Sequence, residues 1–461
     1  MKISELKSTN DEHKQNCEEW AFFEASYEGA KKLVELGYIE QHERESQENY
    51  MKRMKESYGF SYSGSVIDIL SYYLFKAFSV FSIGKLAEDT LWQMFVKDCD
   101  LEGSFLNDWF IDQQKEASKY GHVGILIDKP NIGAAVFTRQ AEIEKEIYPY
   151  LSAYTPLSIL DWEYSRDEFN RPHLSYLKLQ EKDDHYRIWT RSKWELWKIN
   201  DKPKAGEGRV ILVSSGDNPL GAIPFVWLIN IKRPRTIVGI SDIKDVAYID
   251  VSIMRNLSQG EEVIDYSAFP MMRRPKSTDD DVGVTAILEF DPETPESKPD
   301  WLEAKCKEPI DAIITWMKRK TDEIYRVVNV GGITSTETSK QSKSGVALKV
   351  EFQLLNSKLV KKGKNVALAK YQVIKYWLMW QNQKEFLNDI SYITPTGYDV
   401  ENLATDLQNA LTAKSLIDSK TFSNEIQKAM ARETLPGLKE DEYKKIDEEI
   451  SSFNPLNTKE I

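Results

Sequence analysis

GISDIKDVAYIDVSIMRNLSQGEEVIDYSAFPMM, from Gly239 to Met272, is the stretch on which the fold turns. Val246, Ile249, Ile253, Leu257 and Ile264 recur at helical spacing, so one face of a long helix is apolar. Ser241 and Asp242 are placed to cap its first turn, and a residue before proline avoids the helical region, which stops it at Phe269-Pro270. A helix over 241–268 is predicted.

The chain beyond this helix is an ordered set of parts. Pro270 to Glu308 reads as a compact excursion. It holds MMRRPKSTDDD, a predicted strand VTAILEF and the loop DPETPESKPD. A second helix starts at Pro309, where proline is tolerated, and carries Ile310, Ile313, Met317, Ile324 and Val327. TSTETSKQSKSG, Thr334 to Gly345, then passes without an aliphatic or aromatic side chain. A third helical stretch, from about Ser344 to Phe386, would span roughly 65 Å unbroken, with a bend expected at Gly363. Its apolar positions are Leu348, Phe352, Leu355, Leu359, Val366 and Ile374. If the first two helices pack antiparallel, the excursion projects from one end and the polar loop sits at the other.

Upstream, the first 120 residues read as helical, with apolar faces that include Trp20, Phe23, Ile67, Leu70, Trp92, Phe95, Trp109 and Phe110. From about 121 to 235 the period shortens. HVGILID, AAVFT, HYRIWT, KWELWKI, RVILVS and IPFVWLI alternate with turn residues and predict a mixed β region. Trp189, Trp194 and Trp197 fit alternation within hairpins better than a ligand platform. ITPTG, Ile393 to Gly397, breaks the last long helix, and short helices, acidic on balance, complete the chain. The fold class expected is α+β, mainly helical.

Composition narrows the function classes. Of 461 residues, 41% are apolar and 29% charged, which suits a folded globular chain. The net charge of −12 repels nucleic acid, so any DNA contact must be local. Between Thr334 and Lys375 the balance is +7, which leaves −19 elsewhere; the plain reading of that strip is a solvated helix face. Cys17, Cys99 and Cys306 are far apart, which argues against a disulfide framework, and Cys99 is expected to be buried. No stretch approaches 18 apolar residues, and the N-terminus lacks the apolar core of a secretion signal.

Catalytic signatures are missing. His13, His42, His122, His173 and His185 do not pair at metal-ligand spacing, so neither zinc nor another metal is expected. GGITSTETSKQSKSG lacks the Gly-Lys-Ser/Thr ending of a phosphate loop. There is no G-x-S-x-G elbow. The acidic pairs read as solvated turns. No enzyme activity and no cofactor are expected.

The order of parts resembles the portal (head-tail connector) proteins of tailed double-stranded DNA bacteriophages. Gly239–Met272 is similar to that family's first stem helix and its entry into the clip. VNVGGITSTETSKQSKSGVALKVEFQLLNSKLVKKGKN, Val328 to Asn365, resembles the tunnel loop and the long helix after it, most clearly at Ser344-Gly345-Val346-Ala347-Leu348. LIDSKTFSNEIQKA, Leu416 to Ala429, resembles the C-terminal helices, and GHVGILID and IPFVWLI match the style of the wing.

The resemblance implies a wing (1–240, with 344–393), stem helices (241–268 and 309–328), a clip (269–308), a tunnel loop (329–343) and a short crown (394–461). It implies a ring, most often of twelve subunits, at one capsid vertex of the virion, assembled in the host cytoplasm. Double-stranded DNA would pass through its tunnel without sequence-specific contact. The implied partners are the terminase large subunit at the clip, major capsid and scaffold proteins, and later head-completion, adaptor and tail proteins; no membrane is involved. On this basis Thr334, Ser335, Thr336, Lys340 and Lys343 face the tunnel, with Gly331 and Gly332 as hinges. Arg273, Arg274, Lys276, Asp279, Asp280 and Asp281 form the docking surface. Arg255, Lys318 and Asp322 are candidates for intersubunit pairs. A soluble helical adaptor or scaffold, with neither ring nor DNA contact, explains the acidic charge equally well.

Overall fold

The computed structural model describes residues 2–130, 138–200, 209–268, 271–273, 300–302, 307–328, 345–398, 419–434 and 440–452. It contains both helix and strand, with helix the larger share. Among the described residues no helix is long and apolar enough to cross a membrane. The chain divides into two compact units, Met1–Tyr398 and Asp399–Ile461.

In the first unit, helices α1 (Ile3–Lys7), α2 (Asp11–Glu28), α3 (Ala30–Glu35), α4 (Gln47–Glu56), α5 (Tyr62–Phe75), α6 (Thr90–Lys97) and α7 (Leu106–Tyr120) lead into the β region. Helix α8 (Arg139–Glu144) lies within that region. Then come α9 (Val246–Ala268), α10 (Lys307–Val328) and α11 (Gly345–Trp380). In the second unit α12 (Lys420–Thr434) packs on α13 (Glu440–Ser452).

Strand β1 (Val80–Ser82) pairs antiparallel with β12 (Ser391–Ile393). Three residues are too few to show alternation, which is why this ribbon falls inside stretches read as helix and helix break. Strands β2 (His122–Asp128), β3 (Tyr150–Tyr154) and β9 (Phe225–Ile229) form one antiparallel sheet, with β2 in the centre. The meander β4 (Ile159–Arg166), β5 (Pro172–Lys182), β6 (His185–Thr190), β7 (Lys193–Ile199) and β8 (Val210–Asp217) forms a second. The sequence pattern found β2, β6 and β7 at their observed limits. It did not single out β3, β4 or β5. AAVFT falls largely, and VTAILEF wholly, outside the described residues.

Strand β2 is apolar on both sides because both are covered. Val123, Ile125 and Ile127 face a core with Phe95, Trp109, Val373 and Trp377, whereas Leu126 joins Ile159, Trp162, Leu177 and Trp189 of the second sheet. The hairpin tryptophans divide in the same way. Trp189 and Trp194 lie in that inter-sheet core, while Trp197 packs on the opposite face with Leu160, Tyr186 and Ile199. Alternation, and not a platform, accounts for them.

A further core joins α2, α5, α9, α10 and α11 through Trp20, Phe23, Ile67, Leu70, Val246, Met254, Ile324, Leu355 and Leu359. Helix α11 runs from this core into the one under β2, contributing Leu355 and Leu359 to the first and Val373, Ile374 and Trp377 to the second. Each such side chain contributes roughly 1.5–3 kcal/mol on full burial, so α11 ties the two cores together. It ends at Trp380, short of the expected Phe386, and Asn382 in the next turn has a φ of 55°. The helix is continuous through Gly363. A Cβ there would lie 1.9 Å from the Tyr398 hydroxyl oxygen, so the glycine makes room for that ring.

Candidate functional site

Helices α9 and α10 pack antiparallel. Ser252 and Asn256, early in α9, accept hydrogen bonds from Lys320, late in α10, while Gly260 faces Ile313. Both chain ends of the excursion leave from one end of this hairpin and are joined by an antiparallel ribbon of β10 (Met271–Arg273) and β11 (Asp300–Leu302). The opposite end carries Val328, and the chain re-enters helix at Gly345. The excursion and the polar loop are therefore attached at opposite ends of a hairpin about 30 Å long.

The loop end is anchored. Ile324 and Val328 are buried, and the Asp250 carboxylate accepts a hydrogen bond from the Ser63 backbone N–H at 3.1 Å, which ties α9 to the start of α5. Helix α9 begins at Val246, later than the expected 241; five residues earlier the Ser241 hydroxyl accepts from the Ile243 N–H at 3.1 Å in a local turn and does not cap the helix. Asp242 does not cap. Its side chain is buried between Lys362, in direct contact, and Lys358, with Nζ 3.0 Å from Oδ1. Burial alone would raise the Asp242 pKa, but the two ammonium groups outweigh it and hold the carboxyl at about 2.

Around this triad lies a polar knot. The Asp242 N–H donates to the Ser118 carbonyl (2.9 Å), the Ser241 hydroxyl donates to the Lys119 carbonyl (2.6 Å), and Asn365 donates to the Asn230 carbonyl (3.0 Å). Gly121 and Gly239 allow their backbones to meet: a Cβ on Gly239 would lie 2.0 Å from the Gly121 oxygen. The knot fastens the end of α7, the approach to α9 and the middle of α11 to one another.

The lysines of the basic strip therefore do not share one solvated face. Lys362 is buried, Lys358 is mostly buried, and Lys370 donates to Asn107 at 2.6 Å with burial lowering its pKa to about 8. Lys361, Lys364 and Lys375 are exposed. The signal was present in the sequence. Lys362 falls in the apolar stripe of Leu355, Leu359 and Val366, where an unpaired charge would be costly.

Of the residues proposed to meet a neighbouring subunit, Lys318 and Asp322 are exposed one turn apart on α10. Arg255 bonds within its own chain, to the Tyr38 carbonyl (2.8 Å) and Glu40 Oε1 (3.2 Å). Arg273 sits in β10, opposite Asp300 in register. Arg274, Lys276, Asp279, Asp280, Asp281, Thr334, Ser335, Thr336, Lys340 and Lys343 lie outside the described residues. Among the described residues no three His, Cys, Asp or Glu side chains are placed to hold a metal ion. The chain matches no protein-family model and no curated protein sequence.

Proposed function

We propose that this chain is a portal-type subunit, a ring-forming protein at a capsid vertex through which double-stranded DNA enters and leaves. One observation carries the reading: an antiparallel helical hairpin bears the charged excursion at one end and the Ser/Thr/Lys loop at the other, with the loop end fixed to the body. In this reading the excursion docks the terminase motor, and later the head-completion and tail proteins. The polar loop reaches the duplex and touches phosphates, contacts that carry no base information. Each exposed lysine contact is weak and screened over about 8 Å at physiological salt, so many copies steady the DNA while none stops it.

Replacing Lys340 and Lys343 with alanine tests the DNA-facing role. The fold and any ring are expected to persist, while the fraction of DNA-filled heads or their retention of DNA falls. Unchanged filling and retention would remove the loop from the DNA path. The competing adaptor reading draws on one observation, the pairing of Arg255 within its own chain.

A further inference from the structure

Residues 38–60 run from the end of α3 through α4 to the start of α5 and lie along α9. This segment is closed on itself by buried contacts. Arg53 pairs with Glu45 (2.6 Å) and donates to the Glu40 carbonyl (2.8 Å), and the Tyr50 hydroxyl donates to the Ile39 carbonyl (2.8 Å). The Arg53 guanidinium holds the Glu45 carboxyl at about 2.

Its attachment to the far half of α9 is of another kind. Lys52 meets Asp265 (3.1 Å), the Tyr58 hydroxyl donates to Glu261 (2.9 Å), and His42 lies 3.6 Å from Glu262. These contacts are exposed or half-buried and individually weak, but the buried Arg53 also reaches α9, with Nη1 3.5 Å from the Ser258 hydroxyl and Nε 3.8 Å from Glu262. Tyr50 and Met54 add partly buried apolar contact, while Met51 and Phe60 face solvent. The segment is thus closed on itself and anchored at its start by Ile39, which is buried in the core shared with α9, while Arg53 and a fringe of exposed contacts hold its far side. Gly37, with φ 79°, and Ser61, with φ 46°, stand at its two ends.

We propose that residues 38–60 form a releasable strap, and that in the ring the acidic face it covers is taken by helix α10 of a second copy of this chain. The inference rests on the portal reading and adds a competition to it. Glu261, Glu262 and Asp265 present negative charge along α9, and α10 exposes Lys318 and Arg319. A cyclic ring sets one face of each subunit against a different face of the next. The strap's cations occupy on the free chain the positions that Lys318 and Arg319 of a neighbour would fill. Arg255, now held by Tyr38 and Glu40, is freed by the same movement. Ring closure is then slowed by strap release, which keeps free chains from closing early.

The experiment tracks ring formation by native mass spectrometry and strap protection by amide exchange. The strap-side variant His42→Ala/Lys52→Ala/Tyr58→Phe leaves α9 and α10 untouched. It should speed exchange in α4 and ring closure by about tenfold each, the combined weight of three exposed contacts, with ring mass unchanged. The variant Lys318→Glu/Arg319→Glu should lose rings while strap exchange in the free chain stays at the wild-type rate. Closure of the strap variant at or below the wild-type rate overturns the proposal. So do rings in which α4 is as protected as in the free chain. In both cases rings still form, and the portal reading stands. A wild-type chain that forms no ring at all removes both.

Discussion

The two ends of the α9–α10 hairpin are held by opposite kinds of chemistry. At the loop end Ile324 and Val328 are buried and Asp242 is enclosed with Lys358 and Lys362, so movement there exposes apolar surface and separates buried charges. Toward the excursion end one buried arginine, Arg53, reaches Ser258 and Glu262, the remaining contacts are an exposed polar fringe, and Ile264 and Ile314 are open to solvent. One end is closed in a buried core and the other is held mainly at the surface. On the portal reading proposed above, that difference would hold the loop in place while the other end docks successive proteins.

The largest effect should come from the fixed end. Asp242→Ala leaves the Lys362 ammonium buried without its partner, and breaking a buried pair costs about 3–5 kcal/mol, read as a lower urea midpoint. An Asp242→Ala midpoint equal to wild type would mean that the triad fixes nothing. Gly363→Ala should cost about 1–3 kcal/mol through overpacking against Tyr398. Much of that loss should disappear in a Tyr398→Phe background, because the hydroxyl is the nearest atom to the added methyl.

The pH dependence has a definite sign. The Asp242 pKa of about 2 lies below the ordinary aspartate value of about 3.9. Its contribution is therefore fully present above about pH 4 and is lost as pH falls through about 2. The wild-type urea midpoint should fall across that window by more than that of Asp242→Asn. Equal slopes would contradict the assignment. The smallest effect should be Arg255→Ala at the exposed pair with Glu40, about 0.5 kcal/mol or less. A cost comparable to that of Asp242→Ala would erase the contrast between the two ends.

Long periodic elements were legible in the sequence. Helices α9 and α10 and strands β2, β6 and β7 follow from apolar spacing and bounding turn residues, because each buries one continuous stripe or core. The triad was not found, since Asp242 and Lys362 are 120 positions apart and each has an ordinary local explanation as a cap or a solvated lysine. The close approach at Gly363 was hidden because a missing side chain reads the same whether it gives freedom or makes room. Only the arrival of Tyr398 tells the two apart. The partners of Arg255 were hidden likewise: they lie more than 200 positions away on a segment whose apolar content is too low to announce that it docks.

The assembly state tests a portal-type subunit most directly. Native mass spectrometry of the purified chain, with electron microscopy of the same sample, should show closed rings with a central hole and a mass that is an integral multiple of 53.3 kDa. A compact particle of 53.3 kDa that persists at high concentration, with the strap docked, would contradict it.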